Sequence, residues 1–353
     1  MTEFTTDRGL PLDDPAYVRG WAECRHALAG SQLLSDPAGG GHATKPTYNL
    51  LLLDGDLHQA GRRLVTQYLT RARLDAVGRR LAETGDALVR SLAGRSDVDL
   101  MADLAEPLVL DGILTAMEVP DERRAQLGDL AGRMLGLLEP DLPAEERRRA
   151  ANAALRATIL FERDGTAGTA TGFHATLEAA ARDGVIPVRL ARTTPLVMLH
   201  GGYENPLNQL GCVIAWAVED PDRFAAAAAA APALLYEEVL RVFSPVRLVA
   251  RWVGSDGGDP PLARGRFVFV DLESANRDDR RFPAPDRLDL DRRRSHLGFG
   301  YGRHMCPGTG LARLEGQVLI RALAALPPGQ LREFAVEWRD GTLARGPVRI
   351  VRR

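Results

Sequence analysis

The chain of 353 residues is poor in cysteine and in lysine. Its three cysteines, Cys24, Cys212 and Cys306, are too few and too scattered for a disulfide framework, so we expect a reducing, cytoplasmic setting. Lys45 is the only lysine, and the formal net charge of −2 gives no case for binding nucleic acid or an anionic membrane. No apolar run is long enough to span a bilayer, and residues 1–10 lack the apolar core and basic flank of a signal peptide. These absences favour a protein that is not anchored in a membrane.

One stretch stands out, residues 296–310, with the sequence HLGFGYGRHMCPGTG. Cys306 stands directly before Pro307, and residues 311–326 have the amphipathic period of a helix. Because proline is favoured in the first turn of a helix, Cys306 is predicted to lie at a helix N-terminus. There the helix dipole and the unpaired backbone N–H groups favour a thiolate over a thiol.

Three glycines precede this cysteine, and they let the backbone turn sharply and approach a flat ligand without interference from a Cβ atom. They are Gly298, Gly300 and Gly302. A thiolate beside such a loop suits the axial position of haem iron, so Cys306 is the predicted metal ligand. A dinucleotide-binding loop is one alternative, but Met305 occupies the place of its third glycine. A structural role is another, since a lone cysteine is usually a small buried hydrophobic residue.

The residue pattern of this stretch resembles the haem-binding loop of the cytochrome P-450 family. The matching positions are Phe299, Gly302, His304, Cys306 and Gly308. On this pattern the chain is similar to a bacterial soluble cytochrome P-450. The resemblance implies a mainly α fold with a smaller β part, a single domain over residues 1–353, and haem b as the cofactor.

The N-terminal part of the chain is shorter than this family usually has. Residues 1–20 predict little regular structure, residues 21–29 have helical periodicity, and residues 37–41 are too rich in glycine for a helix or strand. The family's first helix and sheet strands are therefore expected to be reduced, and the pocket entrance to be open. A bulky substrate, a carrier-bound substrate or a partner protein would then complete the wall.

Several basic residues match the family's contacts to the haem propionates. His58 and Arg62 are four residues apart, so they share one face of a helix and can reach one anionic group. A solvated basic face is the alternative for this pair. Arg251 and His304 fall where the family places two further propionate contacts.

A second family signature precedes this loop in the chain. Glu238 and Arg241 resemble the family's Glu-x-x-Arg pair. The spacing is common by chance, but its place between the long helix and the cysteine is that of the family. The resemblance implies a buried ion pair that braces the loop under the haem.

Residues 196–208 resemble the long helix that crosses the oxygen side of the haem in this family. The positions that fit are Gly201, Gly202 and Glu204. Asn205 stands where a threonine is usual. Glu204 and Asn205 are the predicted catalytic residues, which would order a water and supply protons to dioxygen. Pro206 has no N–H to give to the carbonyl of residue 202. An ordinary helix break is the alternative, but the apolar stretches on both sides favour a continuous helix with a widened kink.

A further set of residues falls on positions that usually line the substrate pocket of the family. They are Val197, His200, Gly201, Val246 and Arg247. His200 and Arg247 together suggest a substrate with an anionic or strongly polar group, because a buried unpaired guanidinium is costly. The alternatives are a structural role for His200 and a propionate contact for Arg247.

The family resemblance implies a monooxygenase that inserts one oxygen atom into a small, polar intermediate of specialised metabolism. Electrons would come from NAD(P)H through a ferredoxin reductase and a ferredoxin, and the protein is expected to act as a monomer on a free or carrier-bound substrate. Asn205 keeps an alternative open: a haem-thiolate enzyme for peroxide-driven oxidation, oxidative coupling or dehydration. A haem-binding sensor without turnover is the third class.

Overall fold

The structure is a computed structural model, and it describes residues 16–36, 48–256, 262–292 and 295–353. The glycine-rich residues 37–41 and most of residues 1–20 lie outside the described part, so the predictions made for them have no structural counterpart here. Within the described residues no helix is long and apolar enough to cross a membrane.

Helices make up most of the described chain, which confirms the predicted mainly α fold. They are α1 Trp21–Ala29, α2 Gly55–Tyr68, α3 Arg71–Ser91, α4 Glu106–Ala116, α5 Asp121–Arg133, α6 Ala144–Ala167, α7 Gly172–Arg182, α8 Val188–Gly201, α9 Glu204–Glu219, α10 Pro221–Ala230, α11 Pro232–Phe243, α12 Leu272–Asn276, α13 Thr309–Ala324 and α14 Pro328–Leu331. Short 3₁₀ turns cover Leu50–Leu52 and Gly302–His304, and a π turn covers Met101–Ala105. The predicted first helix has the bounds of α1.

The strands form two small sheets. They are β1 Ala16–Val18, β2 Leu33–Leu34, β3 Leu248–Val253, β4 Phe267–Asp271, β5 Phe334–Asp340 and β6 Arg345–Arg352. The first sheet has the order β1-β4-β3-β2, with β1 parallel to β4 and the other pairs antiparallel. The second sheet is the β5–β6 hairpin.

The N-terminal strands are present but short. β1 lies at residues 16–18, where the sequence predicted little regular structure. Its three residues pair with Val268, Phe269 and Val270 of the buried strand β4, and that partner supplies the hydrogen bonds and the apolar surface that a three-residue segment lacks by itself.

The core is built around α9, in which every residue from Leu207 to Val218 is buried. This helix packs against α4, α11, α13 and the β6 strand. The long helix predicted over residues 196–208 is not continuous, because α8 ends at Gly201 and α9 begins at Glu204. Pro206 leaves the Gly202 carbonyl without its helical donor, as predicted, but the result is a two-residue interruption rather than a kink.

Candidate functional site

Cys306 lies in a tight loop that leads into α13. We call residues 296–308 the Cys loop. The Cys306 N–H donates a hydrogen bond of 2.9 Å to the Phe299 carbonyl, and positive φ angles at Gly300 (70°) and Gly302 (71°) turn the chain between them. Only glycine adopts such angles readily, so these two residues account for the predicted sharp turn.

A glycine of the Cys loop also permits close packing of the loop against helix α1. A Cβ atom at Gly302 would overlap the carbonyl oxygen of Leu28 at the end of α1. Gly302 is therefore needed for packing against α1, and the approach of this loop to a flat ligand stays a prediction. A Cβ at Gly308 would lie 3.7 Å from the Cys306 Sγ, which is ordinary contact.

The protonation of Cys306 differs from the prediction based on the helix start. Burial raises the pKa of the Cys306 thiol, and the lowering by the Gly308 N–H, Arg62 and Arg313 does not offset it. Helix α13 begins at Thr309, so Cys306 precedes its first residue by three positions. The protein groups around Cys306 therefore raise the pKa of its thiol, and a bound metal cation would favour the thiolate.

The Cys loop is braced from α11 by Glu237, a residue that the sequence analysis missed. Its carboxylate accepts a 2.7 Å hydrogen bond from Arg313 and lies 3.0 Å from the His296 Nε2. The Arg313 guanidinium lies 4.9 Å over the Phe299 ring. Burial raises the pKa of Glu237, but the hydrogen bonds from His296 and Arg313 outweigh it and bring it to about 2. No spacing in the sequence links these residues, because they come from three different segments.

The predicted Glu238–Arg241 pair forms and is almost completely buried. Arg241 also donates to the carbonyls of Asn276 and Arg287, each at 3.0 Å. Arg292 joins the pair through the second oxygen of Glu238, a partner that no pattern in the sequence indicates. The three charged residues fix the segment that leads to the Cys loop.

The four basic residues predicted to bind an anionic cofactor gather beside the Cys loop. The His58 and His304 rings lie 4.0 Å apart between centroids, and Arg62 donates to the carbonyl of Met305. Burial lowers the pKa of His58 to about 4 and that of Arg251 to about 10. Burial also lowers the pKa of Arg62.

Asp54 is the acidic residue at this cluster, and the sequence analysis missed it. The His304 Nε2 lies 3.1 Å from Asp54 Oδ1 and 3.1 Å from Ser35 Oγ. Among the residues that the structure describes, no carboxylate lies within ion-pair distance of Arg251. The cluster therefore carries more positive charge than one carboxylate balances.

These residues fit the cofactor that the family implies. The buried Nε2 of His58 has no hydrogen-bond partner in the described part of the chain, and a buried unpaired polar atom is costly unless a ligand satisfies it. A haem brings two carboxylates for the basic residues and an iron for a soft sulfur ligand. His58, Arg62, Arg251 and His304 would hold the carboxylates, and Cys306 would hold the iron.

Glu204 and Asn205, the predicted catalytic pair, point in different directions. Glu204 is buried, accepts a 2.8 Å hydrogen bond from the Gly136 N–H, and lies 3.4 Å from the guanidinium of Arg339. Asn205 is exposed, and its side chain has no hydrogen-bond partner among the described residues. Consecutive residues of a helix project about 100° apart, which accounts for the difference.

The predicted pocket residues Val197 and Gly201 lie in the last turn of α8. Val197 is 7% exposed, whereas a Cβ at Gly201 would meet nothing within 4 Å. Val246 forms an isolated bridge with Ala344 of the β5–β6 hairpin. Val246 therefore lies beside the turn between β5 and β6.

His200 and Arg247 both have carboxylate partners inside the chain, which corrects the argument for an anionic substrate. The Arg247 Nε donates to Glu273 at 2.7 Å, and the His200 Nε2 lies 3.5 Å from Glu204 Oε2. A partly buried guanidinium with such a partner does not require another one from the substrate.

Comparison with known proteins agrees with these observations. The family model for cytochrome P450 matches residues 235–337. Cytochrome P450 107B1 of Saccharopolyspora erythraea is 32% identical over 313 residues, covering 84% of this chain and 75% of the relative. The vitamin D(3) 25-hydroxylase of Pseudonocardia autotrophica is 31% identical, covering 94% of this chain and 82% of the relative. A solved structure of P450BioI with an acyl carrier protein ligated to hexadec-9Z-enoic acid has a TM-score of 0.79 at 22% identity, covering 95% of this chain and 90% of that one.

Proposed function

The chain belongs to the cytochrome P450 family, and on this premise we propose that it oxidises a small intermediate of specialised metabolism. It is a haem-dependent monooxygenase that draws electrons from NAD(P)H through redox partners. The proposal extends to a hydroxylation or a related oxidation as the reaction on that intermediate. It does not include an anionic group on the substrate, because Glu273 and Glu204 already accompany Arg247 and His200.

The observation that carries the proposal is the position of Cys306 beside four basic side chains. Cys306 has a soft sulfur atom in a loop braced by Glu237, and the basic side chains have desolvated charges or unpaired atoms. This combination suits a planar group with a metal at its centre and carboxylates at its edge.

The mechanism assigns each residue a limited task. Bound haem supplies the binding and reductive activation of dioxygen at its iron. Cys306 would hold the iron through sulfur, while His58, Arg62, Arg251 and His304 would orient the group by its carboxylates. Glu204 would hold a proton at its carboxylate, and the Asn205 amide would order a water on the exposed side of the helix.

Partners follow from the same family membership. We propose a ferredoxin and a ferredoxin reductase as the electron donors, and one cytoplasmic domain acting as a monomer. The free state of all three cysteines supports the reducing compartment. A carrier-bound substrate is also proposed, supported by the complex of P450BioI with a loaded carrier protein.

The test is product formation with surrogate redox partners. The haem-loaded enzyme is supplied with NADH, a surrogate ferredoxin and its reductase, and candidate substrates are offered free and carrier-bound. The expected result is an oxygenated product formed in proportion to the NADH consumed. Turnover with peroxide alone would instead support the alternative haem-thiolate chemistry that Asn205 suggests.

A further inference from the structure

The segment that joins α5 to α6, residues 134–143, is a compact loop. We call it the connecting loop. The Leu137 N–H donates to the Met134 carbonyl at 3.0 Å, and the Glu139 N–H donates to the Gly136 carbonyl at 2.9 Å. Because the loop is folded on itself, a displacement of one part is expected to move the rest.

The connecting loop holds the buried carboxylate of Glu204. Its Gly136 N–H donates to Glu204 Oε1 at 2.8 Å, and the Arg339 guanidinium lies 3.4 Å from the same oxygen. Gly136 has a φ of 74°, and a Cβ there would lie 3.3 Å from the Leu142 side chain. A glycine is therefore needed to present this N–H, and the acid is anchored to the loop rather than only to its own helix.

The same loop is attached to the turn of the β5–β6 hairpin, residues 341–344, which we call the hairpin turn. The Glu139 carboxylate accepts the N–H groups of Leu343 and Ala344 at 2.9 and 2.7 Å. A Cβ at Gly341 would lie 2.6 Å from Glu139 Oε1, so only glycine permits this approach.

The attachment through Glu139 is unusual for a buried charge. Glu139 is 8% exposed, and among the described residues no cationic side chain lies within ion-pair distance of it. Burial raises the pKa of Glu139, while the two backbone N–H groups lower it. Buried carboxylates usually have a cationic partner, so the hydrogen bonds to the hairpin turn are the main interactions that hold this one.

The hairpin turn in turn contacts the segment that carries the predicted pocket residues. The Arg247 N–H donates to the Leu343 carbonyl at 2.8 Å, and its guanidinium donates to the Gly341 carbonyl at 2.9 Å. The pocket segment, the hairpin turn, the connecting loop and Glu204 thus form one chain of hydrogen bonds.

We propose that Glu139 is a positioning residue for the reaction: it fixes the connecting loop on the hairpin turn, and the loop then holds the Glu204 carboxylate through Gly136. This inference rests on the proposed function of Glu204 as the proton-holding acid. It makes the position of the acid depend on the attachment of the connecting loop to the hairpin turn. Any event that lifts the loop removes a hydrogen bond from Glu204.

The first test is a reciprocal exchange experiment on the haem-loaded enzyme. In Glu139→Gln, hydrogen–deuterium exchange should rise about tenfold at the Gly136 amide, although Glu139 accepts no hydrogen bond from that amide. In Glu204→Gln, exchange should rise at the Leu343 and Ala344 amides, which Glu204 does not touch. A rise confined to the amides that each side chain binds directly would overturn the coupling.

The matched control is Glu178→Gln. Glu178 is buried to a similar degree, at 6% exposed, but lies on α7 and pairs with His174 and Arg192. It should change neither Gly136 nor the hairpin turn. If it changes both as much as Glu139→Gln does, general loosening explains the result and the proposal fails.

The second test uses a functional readout. The pH profile of NADH consumption with surrogate ferredoxin should change in the same direction in Glu139→Gln and Glu204→Gln, and should stay as in the wild type in Glu178→Gln. An unchanged profile in Glu139→Gln would defeat the positioning role.

The failure of this inference is distinguishable from failure of the proposed function. The absorbance of the reduced protein with carbon monoxide reports the iron–thiolate centre without involving Glu139. A normal spectrum with uncoupled exchange defeats the positioning role alone. A wild-type protein without the thiolate-type spectrum defeats the proposed function itself.

Discussion

The two sides of the proposed haem site are held in different ways. The Cys loop is shaped mainly by its own backbone, through the positive φ angles of Gly300 and Gly302 and the hydrogen bond from Cys306 to Phe299. The junction between α8 and α9 is shaped mainly by groups far away in the chain, since Gly136 and Arg339 hold Glu204. The turn of the Cys loop is thus set by its own residues and braced by Glu237, whereas the direction of Glu204 depends on the two distant segments that reach it.

The largest effect is expected from Cys306→Ala, which tests whether the Cys loop supplies the iron ligand. The reduced protein with carbon monoxide should lose the absorbance typical of thiolate ligation, because Cys306 is the only cysteine of the loop. Cys24→Ala and Cys212→Ala should keep it, since both thiols are completely buried elsewhere. A normal spectrum from Cys306→Ala would contradict the assignment.

Arg241→Leu tests how far the Cys loop depends on the segment that leads to it. Without this side chain, Glu238 keeps only Arg292 as a cationic partner among the described residues. The carbonyls of Asn276 and Arg287 lose the hydrogen bonds that Arg241 donates to them. Breaking a buried pair of this kind should lower the free energy of unfolding by about 3–5 kcal/mol, measured by urea denaturation. Arg332→Leu, which breaks an exposed pair with Asp222, should change it little.

Glu237→Gln tests the bracing of the Cys loop and has a defined pH dependence. The folded pKa of Glu237 is depressed from 4.5 to about 2, so its charge stabilises the fold above pH 4.5 and this contribution is lost as the pH falls toward 2. The variant should lose up to about 3 kcal/mol of unfolding free energy at neutral pH. The difference from the wild type should shrink between pH 4.5 and 2.

Glu333→Gln serves as the control for that titration. Glu333 is more than half exposed in its pair with Arg352, so its removal should have little effect at any pH. A constant difference between Glu237→Gln and the wild type over the whole acid range would show that the charge of Glu237 is not what matters.

The smallest effect on the folded protein is expected from Asn205, on the junction side. Because its side chain is exposed, Asn205→Ala and Asn205→Thr should each change the free energy of unfolding by less than about 0.5 kcal/mol. Product formed per NADH should nevertheless fall in Asn205→Ala, with peroxide released instead, and recover in Asn205→Thr. Weaker substrate binding without recovery by threonine would indicate that Asn205 binds the substrate.

The features that could be predicted from the sequence are those set by neighbouring residues. Helix α1, the Glu238–Arg241 pair and the sharp turn before Cys306 each depend on residues within a few positions of one another. For the interruption of the long helix, a kink was predicted and a helix break was the alternative. Pro206 is the local cause, but packing at Gly202 also involves a distant helix. A Cβ at Gly202 would overlap the Ile113 side chain on α4, and the sequence around Gly202 does not indicate this contact.

The partners of charged groups could not be predicted either, because they lie in segments that are distant in the sequence. Glu237, Asp54 and Arg292 complete the site from segments far from the residues they contact. The argument from an unpaired Arg247 to an anionic substrate does not hold, because Glu273 lies beside Arg247 in the fold. Charge balance is a property of the assembled structure, since Coulomb interactions depend on distance in space and on burial.

The sequence by itself determined the family, the mainly α fold and the loop that presents Cys306, because glycine and proline restrict the backbone wherever they occur. Only the tertiary structure decided the protonation tendency of Cys306 and the direction in which Glu204 points. Burial raises the pKa of the Cys306 thiol more than the Gly308 N–H, Arg62 and Arg313 lower it. Glu204 faces the connecting loop because Gly136 offers an N–H there, and that meeting of two distant segments exists only in the folded chain.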